Sequence, residues 1–444
     1  MNTKKIIKYI AVALLAYGTS SCSDFLEKEV DLTLSEQVFR SYENTRGFLA
    51  NIYTYLPDAF VGYTDGQFRS ASRDCMTDNA LGWWSVLYYG SVLTDGYSAI
   101  NHPFANDFWP KNSRAIRASN LKNVREEVVG NYDKTGDDNH LYDRYVAEAK
   151  LLRAIFHFDM SSWFGDIIIA GDDEEGVPIV FQQNDPRMNV PRNKCADVMK
   201  WVADQCDLVK DVLPFRYSNE NENWGRVNGA AAYALKARAL LYRASPLNNP
   251  TNNIEWWKEA AEAARAFITK NNQQTKPYKL YRTSDNDPTQ NYYQCFVTTP
   301  YFNDEYILTR SVWTTHTVED YLAPAGFTNS SGRTNPTQNL VDSYETINGL
   351  PIDQDSSYDP QNPYANRDPR LEQTILHQGS IWGDKLNEEE RAIDVSYPSG
   401  ADYETQNGGT LTGYYTKKYL NNMSFKSPSN YNHVCPIFRF GEVL

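Results

Sequence analysis

Cysteine is scarce here: six in 444 residues, no two of them spaced as CxxC. Cys22 stands apart near the start. The other five, Cys75, Cys195, Cys206, Cys295 and Cys435, form an odd set. That argues against a disulfide framework and against a zinc ribbon. The expectation is buried free thiols, with Cys195 and Cys206 on one helix. Catalytic signatures are missing as well. There is no GxSxG, no HExxH and no phosphate-cradling GxxxxGK[ST]. The six His are dispersed, and His157, inside a helical stretch, reads as a core histidine. Positive charge is in deficit, with 43 Lys and Arg against 56 Asp and Glu. Such a chain should not bind nucleic acid, whose affinity comes from neutralising phosphates. No metal and no cofactor are expected. DDEE (172–175) and DKTGDD (133–138) read as solvated loops, since DKTGDD lacks the spacing of an EF-hand. Carboxylates are plentiful, so a two-carboxylate glycosidase site stays open.

Long apolar runs are also absent, except at the very start. Lys4, Lys5 and Lys8 precede Ile10–Tyr17, which is too short to span a bilayer and fits the h-region of a signal peptide. Small residues 18–21 lead into Cys22. A cysteine there reads as a lipoprotein cleavage site whose acyl chains anchor the protein, at about 0.8 kcal/mol per buried CH₂. The position three before it, where Leu is preferred, holds Thr19. Removing residues 1–21 takes away three Lys and no acid, which leaves a net charge of −16.

What remains divides by pattern. Residues 22–41 form an acidic arm whose Phe25 and Leu26 are expected to dock on the body. Residues 42–276 read as a helical scaffold with inserted loops. A helix is predicted from Tyr42 to Leu56, stopped by Pro57, and another from Ser113 to Val129. Residues 143–166 carry Val146, Ala149, Leu152, Ile155, Phe156 and Met160 at helical spacing, which predicts one buried face ended by Gly165. Three helices then follow closely. The first has Asn193 as candidate N-cap and a stripe of Val198, Met199, Val202, Val209 and Val212. The second and third are alanine-rich, and Trp256 and Trp257 on the third are read as core. The first two begin about 34 residues apart, the tetratricopeptide period. Stacked pairs of this kind build a rigid scaffold on which loops carry the site. From Pro277 to residue 444 the chain reads as a loop-rich lobe with small β elements. NPTQNLVDSY suggests a short helix and GTLTGYYTKKYL a hairpin. The terminal PIFRFGEVL reads as the start of a further helix that the sequence does not complete.

Several segments, in this order, resemble the SusD-like (RagB/SusD) surface lipoproteins of Bacteroidetes. They are CSDFLEKE, VAEAKLLRAIFHFDMSSWFGD, GRVNGAAAYALKARALLYRAS, NPTQNLVDSYETINGLPI, NRDPRLEQTIL, TGYYTKKYL and IFRFGEVL. The resemblance implies a mostly α fold of tetratricopeptide-like helix pairs supporting an irregular ligand lobe. It also implies a non-enzymatic lipoprotein on the outside of the outer membrane. Such a protein captures oligosaccharides for a SusC-like TonB-dependent barrel. Capture of peptides is the alternative within the family; a lipoprotein glycosidase is the alternative outside it.

Tyrosine is abundant, 31 against 19 Phe and 10 Trp. Its apolar face and polar tip suit wet binding surfaces as well as cores. The stretch DNALGWWSVLYYG (78–90) therefore stands out. Sugar rings present C–H faces that pack on flat aromatic rings, while Asn, Asp and Arg bond their hydroxyls. Asp78, Asn79, Trp83, Trp84 and Tyr88 supply those types between Gly82 and Gly90. A second candidate is Trp313 with Tyr321, in RSVWTTHTVEDYLAPAGF, near Arg310 and His316. For both stretches, packing into the interior is the competing expectation, and it is preferred outright for Tyr414 and Tyr415.

Overall fold

The helix Leu141–Phe164, the longest of the described helices, lies at the centre of the fold. The structure is a computed structural model. It describes residues 42–58, 72–82, 98, 105–124, 141–174, 178–181, 184–297, 303–385, 389–406, 408–422 and 425–444. Cys22, the acidic arm, residues 125–140 and the run Trp83, Trp84 and Tyr88 lie outside the described residues. Among the described residues, the first half contains six α-helices: α1 (Tyr42–Tyr53), α2 (Ala105–Val124), α3 (Leu141–Phe164), α4 (Cys195–Val209), α5 (Gly229–Ala244) and α6 (Ile254–Asn272). Each of α2 to α6 packs on its neighbour in chain order. α2 starts earlier than its sequence pattern predicts, with Pro110 inside its first two turns.

The predicted single apolar face of α3 is an underestimate. Between α2 and α4, residues 151–158 are buried on all sides of the helix, Arg153 and His157 included, and Glu148 is buried one turn earlier. Each of these side chains is hydrogen-bonded, as burial requires, with Arg153 Nε alone left without a partner. Glu148 accepts from Arg226 (2.8 Å) and from the Tyr53 hydroxyl (2.6 Å). Arg153 donates to Asp172 (2.7 Å), Asn120 (2.9 Å) and Gln205 (2.6 Å). Asp172 is thus an ion-pair partner of the core and not part of a solvated loop. His157 bonds the Arg153 carbonyl through Nδ1 (2.8 Å) and accepts the Ala170 N–H at Nε2 (3.1 Å). It is a neutral core histidine, as expected. Gly165, at φ +69°, ends the helix in the left-handed region that suits glycine.

α4 is not capped by Asn193. That residue bridges to Ile167, and its side chain accepts the Ile169 N–H (3.0 Å). Asp166 serves instead, accepting the Cys195 N–H at 3.0 Å. The stripe on α4 stops at Val209: Val212 faces solvent and Leu213 is buried in its place. Asn228 caps α5 by accepting the Ala231 N–H (2.8 Å). A Cβ on Gly229 would come within 2.5 Å of the Lys210 carbonyl, so glycine lets α5 start against the end of α4. α6 is the outer helix of the row and buries only Ala260, Ala263, Phe267 and Asn271. Trp256 and Trp257 therefore lie at the surface and not in the core. Arg243 covers the Trp256 ring (4.1 Å), and the Trp257 indole donates to Asn252 (3.1 Å).

Among the described residues, the second half holds five short helices: α7 (Asn291–Val297), α8 (Thr317–Leu322), α9 (Gln338–Ser343), α10 (Arg370–Thr374) and α11 (Phe440–Val443). Its strands pair two by two, all antiparallel. Most are two residues long. The exception is β2 (Tyr306–Thr315) with β10 (Tyr431–Arg439). Three readings are corrected here. Arg310 and Trp313 sit on a long strand, not in a loop. PIFR ends a strand, and only FGEV is helical. GTLTGYY is no hairpin: β8 (Gly408–Gly409) pairs with β7 (Glu404–Thr405), and β9 (Tyr415–Thr416) pairs with β4 (Ile375–Leu376). Tyr414 and Tyr415 are buried, as expected. NPTQNLVDSY does form a short helix, α9, capped by Thr337. The architecture is mostly α, with paired helices carrying a lobe of loops and small β elements. The described residues hold five free cysteines, Cys195 half-buried and the other four buried.

Candidate functional site

The described residues before the first aromatic candidate, 72–82, and the strand that carries the second are far apart in sequence and are linked in space through Asp58. The first segment, 72–82, contains a 3-10 turn over Arg73–Met76, then β1 (Ala80–Leu81). β1 pairs with β3 (Asn335–Pro336). The Ser72 N–H donates to the Thr334 hydroxyl (2.9 Å), and the Thr337 N–H donates to the Asn79 carbonyl (2.9 Å). The Asp78 carbonyl accepts from the Thr337 hydroxyl. Asp78 is exposed and Asn79 half-buried, with both side chains left out of these backbone links. Trp83 and Trp84 follow directly after Gly82 in sequence.

The second segment runs along β2 into α8. Trp313 stands opposite His433 of β10, half-buried on a core cluster of the second half. Its indole Nε1 donates to Asp58 Oδ2 at 2.7 Å. Asp58 is 2% exposed and lies just past the end of α1. The Asp58 carbonyl in turn accepts from Arg73 at 3.4 Å, so Asp58 links the two segments. Arg73 is itself fixed by the rings of Phe108 and Trp163, which stack at 4.6 Å. Tyr321, on α8, packs on the same cluster as Trp313. The Arg333 guanidinium lies 4.3 Å from its ring, and the Arg333 N–H donates to the Tyr321 carbonyl (2.7 Å). His316 bonds Asp320 at 2.8 Å, and burial raises the Asp320 carboxyl above its usual range.

The wall behind these groups is polar and held together. Arg310 donates to the Leu56 carbonyl (3.2 Å) and the Thr54 carbonyl (2.8 Å), fixing the turn that follows α1. Lys111 reaches the same Leu56 carbonyl (3.4 Å), and burial lowers its ammonium below the ordinary lysine range. Under α8, the buried Glu319 accepts from Asn421 twice (3.0 Å each) and faces His433 (3.1 Å). This carboxylate has spent its oxygens on structure. That is a poor starting point for acid–base work, which needs a group poised toward a substrate.

Next to this surface lies a cleft of about 360 Å³. Trp224, Arg46, Glu222, Arg226 and Arg310 line it. Trp224 precedes Gly225, which takes φ +72°. Neither Asp58 nor Trp224 stood out in the sequence. Asp58 is one acid after a helix-stopping proline, and Trp224 is one ring in a polar turn. Only WG before a helix cap hinted at a fixed position for Trp224.

The comparisons with known proteins agree with this architecture. Residues 257–444 match the model of the SusD family. No curated protein matches the chain. Among solved structures, a SusD-like protein from Bacteroides fragilis superposes with a TM-score of 0.68 at 19% identity, over 91% of this chain and 74% of its own. A SusD-like carbohydrate-binding protein from the same organism gives 0.65 at 21% identity, over 91% and 73%. A laminarin-binding SusD-like protein gives 0.56 at 14% identity, over 91% and 79%. At such identities these superpositions speak for the fold.

Proposed function

We propose that the chain belongs to the SusD family, from the match of residues 257–444 to that family's model and the superposition of its fold on SusD-like structures. From that premise we propose that it is a cell-surface binding protein. It captures oligosaccharide and hands it to a SusC-like TonB-dependent barrel, without catalysing a reaction on it. Cys22, once acylated, tethers it to the outer membrane. The binding face joins Asp78, Asn79, Trp83, Trp84 and Tyr88 to Trp313 and Tyr321. The observation that carries this reading is the tie between the two segments. β1 pairs with β3, and Trp313 is bonded to the same Asp58 that Arg73 reaches. That tie supports a face in which Asp78 and Asn79 lie on the same side of the fold as Trp313. Neighbours of the fold that are described as carbohydrate-binding and laminarin-binding support the choice of ligand. Handover requires release, so affinity should be modest.

The charged lining of the Trp224 cleft, with Arg46, Glu222, Arg226 and Arg310, favours a second reading. In it the same protein captures peptides, whose charged groups need such partners. A glycan array run beside a peptide array on the purified protein separates the two. The site itself is tested by changing Trp83 and Trp84 together to Ala. Retention on the cognate polysaccharide in affinity electrophoresis should be lost, with the melting temperature nearly unchanged. A large fall in melting temperature would assign the pair to the core instead.

A further inference from the structure

A second hollow, separate in its lining from the surface above, lies between α2 and the segment that follows α3. Its volume is about 520 Å³. Small-molecule sites run from about 300 to 1,000 Å³, mostly apolar with a few placed polar groups. Trp109, Ile116, Met160 and Phe181 supply apolar walls. The walls are fixed from within. Asn120, fully buried, donates to the carbonyls of Ala170 (2.9 Å) and Ile179 (2.7 Å). Its own oxygen accepts from Arg153 (2.9 Å). Ala170 and Ile179 are thereby held onto α2, and the hollow is part of the folded frame.

Two cations stand in its lining. Arg117 is exposed and donates to the Phe181 carbonyl. Arg192 is exposed and lies 5.0 Å from the Trp109 ring. Among the described residues neither is joined to a carboxylate in an ion pair. Asp166, whose carboxyl feels Arg192, is already bonded to Lys194 (2.8 Å) and to the Cys195 N–H. An apolar hollow with two available guanidinium groups suits a ligand that is apolar at one end and anionic at the other. Arg also favours planar anions, which accept two parallel bonds from its fork. A cavity of about 150 Å³ admits benzene, so this one has room for roughly two or three rings.

We infer that this hollow binds an aromatic anion, its rings against Trp109 and Phe181 and its carboxylate or sulfonate at Arg117 and Arg192. The site does not depend on the glycan-binding face and stands or falls separately.

The test uses two dyes that differ in one charge. 1-Anilinonaphthalene-8-sulfonate carries the sulfonate, and N-phenyl-1-naphthylamine is its neutral counterpart. Each is titrated into the purified protein by fluorescence. One saturable sulfonate site per chain is expected. Arg117→Gln with Arg192→Gln should weaken the sulfonate dye about tenfold and the neutral dye less than about twofold. Ser113→Trp, an exposed position in the lining, should block both dyes while the far-UV circular dichroism is retained. No saturable binding, equal weakening of both dyes in the double variant, or unchanged binding in the folded Ser113→Trp protein would each overturn the inference.

Discussion

If Asp58 holds the Trp313 indole in position for a ligand, the two residues must be energetically coupled. The perturbation is a four-protein cycle: wild type, Asp58→Ala, Trp313→Phe and the double variant. The bond is 2.7 Å long, from Nε1 to a carboxylate oxygen of a residue that is 2% exposed. A hydrogen bond to a charged group contributes about 1.5–3 kcal/mol. Trp313 is only half-buried, which places the expected coupling in the lower part of that range, about 1.5–2 kcal/mol. Each single variant leaves one partner without the other, whereas the double variant removes both, so it should be less damaged than the two singles summed. Urea unfolding of the four proteins reads the coupling. A functional arm follows from the same bond. Asp58→Asn keeps an acceptor oxygen and should keep polysaccharide retention. Asp58→Ala frees the ring and should weaken retention by up to about tenfold, the equivalent of about 1.4 kcal/mol. Additivity to within about 0.5 kcal/mol would refute the idea that this carboxylate positions the indole.

Two other outcomes are expected. Burial pushes the His157 imidazole down to about 3, while an unfolded histidine titrates near about 6.5. The stability it contributes is therefore complete above about pH 6.5. It is lost as pH falls toward about 3, at roughly 1.4 kcal/mol per pH unit. His157→Gln should flatten the dependence of unfolding free energy on pH between about 6 and 4.5 by close to one proton; an unchanged slope would mean that the folded ring accepts the proton. Cys22→Ala should move the protein from the membrane fraction to the soluble fraction, and persistent sedimentation with membranes would rule out the lipid tether.

The helices were legible because their signals are local. Gly165 at the end of α3 acts within one turn of its own position, as do the caps Asn228 and Thr337, which did not stand out in the sequence. Periodicity found α3 but could not show that helices would cover both its faces. For α6 the sequence offered paired tryptophans and an alanine-rich stripe, and the stripe won the interior. The β2–β10 pair was not legible, because its partners are more than a hundred residues apart. Pro436 and three register shifts further blur the alternation of β10. The same limit governed the site. Asp78, Asn79, Trp313 and Tyr321 were visible as residue types suited to a sugar. Asp58 and Arg73, which link residues 72–82 to β2, work only through contacts that no spacing encodes.

β2 explains how a lobe made of loops can present such a surface in a fixed place. Ile307 and Leu308, at its start, are buried in the main core with α3 and α5, and Asn228 at the cap of α5 donates to the Ile307 carbonyl (3.3 Å). Trp313, near its end, packs on the cluster formed by Val318, Leu322 and their neighbours. One strand is thus clamped by the helices at one end and carries the candidate ring at the other. β10 repeats the arrangement in reverse: Phe438 enters the main core, while His433 bonds the buried Glu319 beneath α8. A strand rises about 3.3 Å per residue. The helical core and Trp313 are therefore separated by about 15–20 Å of paired backbone and not by free loop. Loops on such a support can vary their side chains without losing their position. A binding face assembled from short irregular segments requires that of its scaffold.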